Sequence, residues 1–300
     1  MMPSYFKHLG AALVFGFSIN AQAMPLSDYN LILLENYNFQ GGDVEGKTFI
    51  GGDLNAGGYA ADFGSRAPSG EDSLSVVGDI NASNLNIQNG NLVYGSALNV
   101  GNVNMNGGGT IRHDPTLSIT GVVNELIDTS FSYSNMSANG FYDAFSSTLT
   151  YTGNDAVAVF DVAATEVFAQ NTSLRLDSGN ADTVIINLSG VDITAAGGVN
   201  LVDGFHHQDI GAENILWNFY EAEAIDFNNL AMFGSVLATF ADITGGAVFD
   251  GAVAARSYTG GREFHNFLFN PPTVDVNEPV TLGLFGLGLL VMGLRRKARS

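Results

Sequence analysis

Short apolar runs separated by Gly, Asn and Asp fill residues 28 to 99. Residues 29 to 34 form an apolar run of strand length, and Thr48-Phe49-Ile50 leads into Gly51-Gly52-Asp53, a turn signal. That phrase returns: Phe49-Ile50-Gly51-Gly52-Asp53-Leu54-Asn55 is echoed by Val76-Val77-Gly78-Asp79-Ile80-Asn81, then by Leu92-Val93-Tyr94-Gly95 and Ala97-Leu98-Asn99-Val100. Gly78 and Gly95 stand 17 residues apart, Leu85 and Val103 stand 18 apart, close to one turn of a three-faced coil of strands. Later, Phe233-Gly234-Ser235-Val236-Leu237-Ala238 returns 16 residues on as Phe249-Asp250-Gly251-Ala252-Val253-Ala254. Stacked rungs are expected, with Val, Ile, Leu and Ala inward and Gly or Asn at corners, where positive φ is cheap. Asn84, Asn86, Asn102 and Asn104 alternate with apolar residues and should share one side, either solvent or an internal amide ladder.

Between the two repeat regions the spacing changes. Val122, Val123, Leu126 and Ile127, and later Phe141, Phe145 and Leu149, recur at intervals of three and four, which predicts one interrupted amphipathic helix or two. Gly140 and the Ser/Asn cluster around Asn135 are its weak point, and its apolar side should cover a flank of the stack. Strands resume at 156 to 162, 173 to 176, 183 to 188 and 214 to 219. The expected fold is mostly β: a discontinuous three-faced β-solenoid built from both ends of the sequence, with one accompanying amphipathic helix. A signal helix at the N-terminus and a hydrophobic helix at the C-terminus complete it. No linker divides residues 28 to 269.

The two termini read differently from the body. Lys7 and His8 precede an apolar stretch at 9 to 19, and Ala21-Gln22-Ala23 follows, with the small residues Ala21 and Ala23 placed as a signal peptidase requires. Cleavage is expected after Ala23, because the apolar run is shorter than the roughly 20 residues that span a bilayer. At the other end Pro271-Pro272 closes the body, Asn277-Glu278-Pro279 follows, and an apolar Gly-rich stretch at 280 to 294 leads to Arg295, Arg296, Lys297 and Arg299. Such a segment can lodge transiently in the inner membrane with its basic cluster on the cytoplasmic side. This arrangement resembles the PEP-CTERM sorting tail that exosortase-type transpeptidases of Gram-negative bacteria recognise; Asn277 stands where the pattern's first proline usually does. The domain organisation is therefore 1–23 signal peptide, 24–270 body, 271–276 linker and 277–300 sorting and anchor segment.

Charge and cysteine content narrow the partners. The 300 residues carry 30 Asp plus Glu against 11 Lys plus Arg, a net charge of −19, and no cysteine. Five bases lie in the terminal segments, which leaves 11 − 5 = 6 in the body. Nucleic acid is an improbable partner, since phosphate binding needs clustered Lys and Arg. Without cysteine the body has no disulfide, thiolate metal site or cysteine nucleophile, and is held by its core and its hydrogen-bond ladders.

The body also resembles the choice-of-anchor A domain of exported bacterial proteins. The resemblance rests on Tyr29-Asn30-Leu31-Ile32-Leu33-Leu34 with Asn38-Phe39, on Asp43-Val44-Glu45-Gly46 and Gly51-Gly52-Asp53, and on Ile215-Leu216-Trp217-Asn218-Phe219, Gly234-Ser235-Val236-Leu237-Ala238 and Glu263-Phe264-His265-Asn266. It implies a surface or extracellular-matrix location with no catalytic activity. The Leu-Trp-Asn and Gly-Ser-Val-Leu-Ala rungs are similar to ice-binding-protein-like β-solenoids, which share a helix lying along the stack, a likeness that bears on fold more than function.

Candidate chemistry is sparse. His206-His207 beside Asp203 and Asp209 is a dense group, but adjacent histidines point apart on extended chain, and an exposed loop is the expectation. Asp43, Glu45 and Asp53 lack the spacing of a calcium loop, and Asp43-Val44-Glu45-Gly46 reads as a turn into a rung. Glu263 and His265 should share a strand face and bond each other or a cap. Trp217 is expected in the core. No catalytic, cofactor-binding or metal-binding residue is assigned and no cofactor is expected; the site residues named are the sorting motif and the signal cleavage positions. The function expected is a non-catalytic cell-surface or biofilm-matrix structural and adhesive protein, with signal peptidase, an exosortase-type transpeptidase and extracellular polysaccharide as partners. The alternative is an ice- or glycan-binding solenoid. Against the ice version, Thr110, Thr120, Thr244 and Thr259 look too scattered for a threonine ladder.

Overall fold

The computed structural model describes residues 24–206 and 209–272. The expected signal peptide with Ala21 and Ala23, the expected sorting tail from Asn277 to its basic end, both expected terminal helices and His207 lie outside the described residues. What is described is mostly β, with two α-helices, Thr120–Ser134 and Ala164–Val167, and one twenty-stranded sheet in which every pairing is parallel.

That sheet resolves into three ladders that share their longer strands. The first runs Ile111–His113, Asn91–Tyr94, Asp72–Val76, Thr48–Ile50, Leu31–Leu33, Val253–Gly260, Ser235–Thr244, Ile215–Asn218, Thr183–Ser189, Val157–Ala163. Leu31 thus sits between Thr48 and Val253, so the two ends of the described sequence join in the middle of the ladder, as the discontinuous reading requires. The second ladder runs Leu98–Met105, Ile80–Ile87, Leu54–Phe63, Tyr37–Phe39, the later halves of Val253–Gly260 and Ser235–Thr244, Ala224–Asp226 and Asp192–Thr194. The third joins the ends of the first three of those strands to Asp43–Val44, Glu263–His265, Val248–Asp250 and Met232–Phe233.

Stacking like on like gives each ladder an inward column. Ile193, Ile225, Ile243, Tyr258, Tyr37, Leu54 and Ile80 are all buried along the second ladder. On the third, the rings of Phe249 and Phe264 lie 4.8 Å apart and nearly parallel, at the spacing of neighbouring strands. The repeated Gly-Asp phrase is a corner device. A Cβ on Gly78 would come within 2.6 Å of the Gly52 carbonyl oxygen, and one on Gly95 within 2.4 Å of that of Val77, so only glycine lets rungs approach there. Beside it, Asn36 Oδ1 accepts from the Asp53 N–H (2.8 Å), Asp53 Oδ1 from the Asp79 N–H (2.7 Å), and Asp79 Oδ1 from the Ala97 N–H (3.0 Å).

The outer side of the first ladder carries a second core. Ile32, Phe49, Ile185, Leu216, Leu237 and Ala254 pack there under Leu126 and Ile119 of the helical segment and under Leu26 and Phe269. Beneath Thr120–Ser134, Asn218 Nδ2 donates to the Ser130 carbonyl (2.9 Å) and to Asn187 Oδ1 (2.8 Å), Ser130 Oγ donates to Asn218 Oδ1 (2.7 Å), and Asn187 Nδ2 donates to the Tyr133 carbonyl (2.8 Å). Burial pushes the Tyr133 phenol up to about 12.

Two expectations are corrected. The helix ends at Ser134 and does not resume: Phe141–Asp143 and Thr148–Thr150 form an antiparallel hairpin with Phe145 fully exposed at its tip. Asp143 organises that turn by accepting from the Phe145 N–H (3.0 Å) and the Ser146 hydroxyl (2.7 Å), so the four-residue spacing of Phe141, Phe145 and Leu149 belongs to the hairpin. The late repeat has a period of 17, not 16: Phe249 stacks on Met232, and Val253 on Val236. Met232 is the fully buried residue of the pair, and Phe233 is half-buried beside it.

Candidate functional site

The second ladder leaves its outer side uncovered, and one outward column runs its whole length. In order its members are Thr194, Asp226, Thr244, Thr259, Asn38, Asn55, Asn81 and Asn99, every neighbouring pair in direct register. None is buried. At about 4.8 Å per step the seven steps span roughly 34 Å. The amides are wired to one another: Asn38 Nδ2 donates to Thr259 Oγ1 (3.1 Å), Asn55 Nδ2 to Asn38 Oδ1 (3.4 Å), Asn81 Nδ2 to Asn55 Oδ1 (2.9 Å) and Asn99 Nδ2 to Asn81 Oδ1 (2.9 Å). Each such asparagine keeps one N–H and one lone pair for an external partner, in an orientation its neighbours fix.

Beside it runs a flanking column through Asp192, Ala224, Asp242 and Ser257. The Arg256 guanidinium, 2.6 Å from the Asp242 carboxylate, holds that carboxyl below its ordinary range against the opposing effect of burial, and Ser257 adds a hydrogen bond. The outer side of the third ladder carries a second polar column. Asn104 Nδ2 donates to Asn86 Oδ1 (2.8 Å), Asn106 to Gln88 (3.0 Å) and Gln88 to Asp62 (2.8 Å). Asn84 stacks on Asn102 and Asn86 on Asn104, so the side they share is both solvent-facing and an amide ladder.

This second column turns acidic where Asp62 pairs with Asp43, and Glu263 follows. Burial raises the Asp43 carboxyl, and the negative charges of Glu263, Glu45 and Asp62 raise it further. Among the described residues no group of three or more His, Cys, Asp or Glu is placed to hold a metal ion. His265 Nδ1 sits 2.5 Å from Asp250 Oδ1 and its Nε2 3.5 Å from Glu263. Burial disfavours the imidazolium, but the Asp250 bond and charge, with Glu45 and Glu263, outweigh it and raise the His265 pKa.

The residues singled out in the sequence separate. Asp43 and Glu45 stand together, Glu45 pairing with Arg66 (3.1 Å) and accepting from the Asn266 N–H (2.9 Å), while Asp53 belongs to the Gly-Asp corner. His206 is exposed and meets the Phe233 ring edge-on at 5.3 Å; Asp203 pairs with Arg175 (3.3 Å), and Asp209 accepts from the Gly204 N–H (3.0 Å). Trp217 is fully buried, donates to the Phe233 carbonyl (2.8 Å) and stacks on Phe205 at 5.4 Å. Thr244 and Thr259, which look scattered in sequence, are neighbours in the outward column, which corrects that reading.

The family model described as "Putative Ice-binding-like adhesive domain" matches residues 22–266. The chain belongs to this family. A comparison with curated proteins finds no match. The match takes in every strand of this adhesive-like domain and the whole eight-member column, and its description carries the adhesive character, which suggests a surface or extracellular location. No helix among the described residues is long and apolar enough to cross a membrane.

Proposed function

We propose that this ice-binding-like adhesive domain is the non-catalytic body of an exported surface or biofilm-matrix adhesin, a three-faced β-solenoid whose Thr/Asn column grips an extracellular polysaccharide. The column carries the reading: a rigid row of evenly spaced donors and acceptors matches a polymer with regularly repeated hydroxyls. Sugar hydroxyls can both donate and accept, as the free N–H and lone pair of each asparagine require. The choice-of-anchor A resemblance, the signal peptide ending at Ala23 and the tail bearing Asn277, Glu278, Pro279, Arg295, Arg296 and Lys297 support export by signal peptidase and sorting by an exosortase-type enzyme at the inner membrane of a Gram-negative bacterium.

The test is binding of the protein to immobilised matrix polysaccharide, with Asn55→Ala and Asn81→Ala as variants. Each is expected to weaken binding several-fold and the pair at least tenfold, with little change in folding because both amides lie on the outer side. Equal binding by the variants would remove the column from the site, and turnover of the polysaccharide would overturn the non-catalytic reading. Ice binding is a second reading, favoured by the stacked Thr244 and Thr259. It is the weaker one, because the amide half of the column spends donors on itself and Asp226 interrupts the threonines. Thermal hysteresis is expected to be absent, and its presence would reverse the ranking.

A further inference from the structure

The two ends of the stack are finished differently. At one end Asn139 covers the edge strand Val157–Ala163: its Oδ1 accepts from the Val159 N–H (2.7 Å), its Nδ2 donates to the Val157 carbonyl (3.0 Å), and antiparallel Phe141–Asp143 follows directly. At the other end Leu98–Met105 pairs only with Ile80–Ile87, and Ile111–His113 only with Asn91–Tyr94, among the described residues. One rung inward Ile80, Leu85 and Ile87 are fully buried. Their counterparts Leu98, Val103 and Met105 are half-buried, and so is Val100, stacked on Ala82.

Natural sheets blunt such an edge with charge or proline. Leu98–Met105 has neither: residues 80 to 111 contain no Asp, Glu, Lys, Arg or Pro in a chain of net charge −19, and the charge and proline of this end, Arg112, Asp114 and Pro115, belong to the neighbouring strand Ile111–His113 and the turn after it. Two copies of so acidic a protein repel each other except where such an uncharged surface faces its like. The strand is also self-complementary. Read from its two ends, Leu98 answers Met105, Asn99 answers Asn104 and Val100 answers Val103, about a centre between Gly101 and Asn102.

We propose that Leu98–Met105 is a docking edge for a second copy of this chain, the two strands pairing antiparallel about a two-fold axis at the Gly101/Asn102 corner. Under that axis the inward side of one strand meets apolar residues of the other, and Asn99 meets Asn104 of the partner subunit, amide to amide. The described chain reaches Pro272 beside Val157, Asp182 and Thr183, at the closed end of the stack. Docking edge and chain exit therefore lie at opposite ends of the stack, whose first ladder runs nine steps or about 43 Å at about 4.8 Å each.

Sedimentation velocity of the full chain in a neutral detergent tests the pairing. The wild type is expected to be dimeric at micromolar concentration. Asn102→Lys, an exposed position that would bring two ammonium groups together at the axis, should raise the dissociation constant at least tenfold with an unchanged melting curve. Because the chain has no cysteine, Asn99→Cys and Asn104→Cys chains mixed under mild oxidation should form a disulfide-linked dimer, and neither alone should. A wild type that stays monomeric overturns the proposal, and slow hydrogen exchange at 98 to 105 in that monomer would assign the edge to another segment of the same chain. Dimers that persist in Asn102→Lys, or single cysteine variants that link as readily as the mixture, overturn it as well and place the association elsewhere.

Discussion

Asparagine does two different jobs in this protein, decided by whether the outer side of its ladder is covered. On the uncovered outer columns it is exposed or half-buried and open to solvent. Under the helix, Asn218 is fully buried and joins Ser130, Asn187 and the helix backbone. Removing a buried amide strands its partners without water, so Asn218→Ala should cost about 2–4 kcal/mol in denaturant unfolding, against under about 0.5 kcal/mol for exposed Asn84→Ala. His265 gives a second residue-scale expectation, on pH. Its folded pKa is raised above the ordinary 6.5, so its stabilising effect is complete below 6.5 and fades as pH climbs through the higher folded value. Stability measured from pH 6 upward, in steps of about half a unit, should decline through this window in the wild type. The decline should be shallower in His265→Gln, and an identical slope would show that the Asp250–His265 contact contributes nothing.

At the scale of elements, Thr120–Ser134 is a lid on the first ladder held by few residues, since only Leu126 and Ser130 are fully buried. Leu126→Ala should therefore cost about 2–5 kcal/mol, while Phe131→Ser at a 71% exposed site should be close to neutral in the same unfolding assay. Gly140→Ala is expected to destabilise by about 1–3 kcal/mol, because the new Cβ would lie 2.3 Å from the Phe160 ring. How far these elements were legible follows from spacing. The rungs between Leu54 and Met105 could be read because one short phrase returns in each, Leu54-Asn55, Ile80-Asn81 and Leu98-Asn99, which marks the three asparagines as equivalent across spacings of 26 and 18 residues. The threonine half of the column could not, since Thr194, Asp226, Thr244 and Thr259 are separated by 32, 18 and 15 residues of unequal loop. Phe233 and Phe249 invited an alignment one residue out, and the hairpin at Phe141 mimicked a helical period because its turn happens to be four residues long. No candidate chemistry was legible as a site because the column is assembled from residues that are individually ordinary.

Across the whole molecule, charge is distributed so that the two surfaces argued for above respond differently to salt. The charged residues lie outside 80 to 111, and the basic ones of the body are engaged where the ion pairs show them, Lys47 with Asp28 and Glu71, Arg66 with Glu45, Arg112 with Asp72, Arg175 with Asp203 and Arg256 with Asp242. Two acidic bodies approaching end to end feel long-range repulsion from everything except the edge that joins them. Raising ionic strength from about 0.01 M to about 0.1 M shortens the screening length from about 30 Å to about 10 Å. That removes the repulsion while leaving apolar and amide contacts at Leu98–Met105 untouched, so self-association should tighten with salt. Polysaccharide bound along the neutral Asn half of the column should show almost no salt dependence if the polymer is uncharged. Sedimentation and polysaccharide binding measured at both ionic strengths separate the cases. Self-association that weakens with salt would mean that charge pairs, and not the uncharged strand edge, hold the copies together.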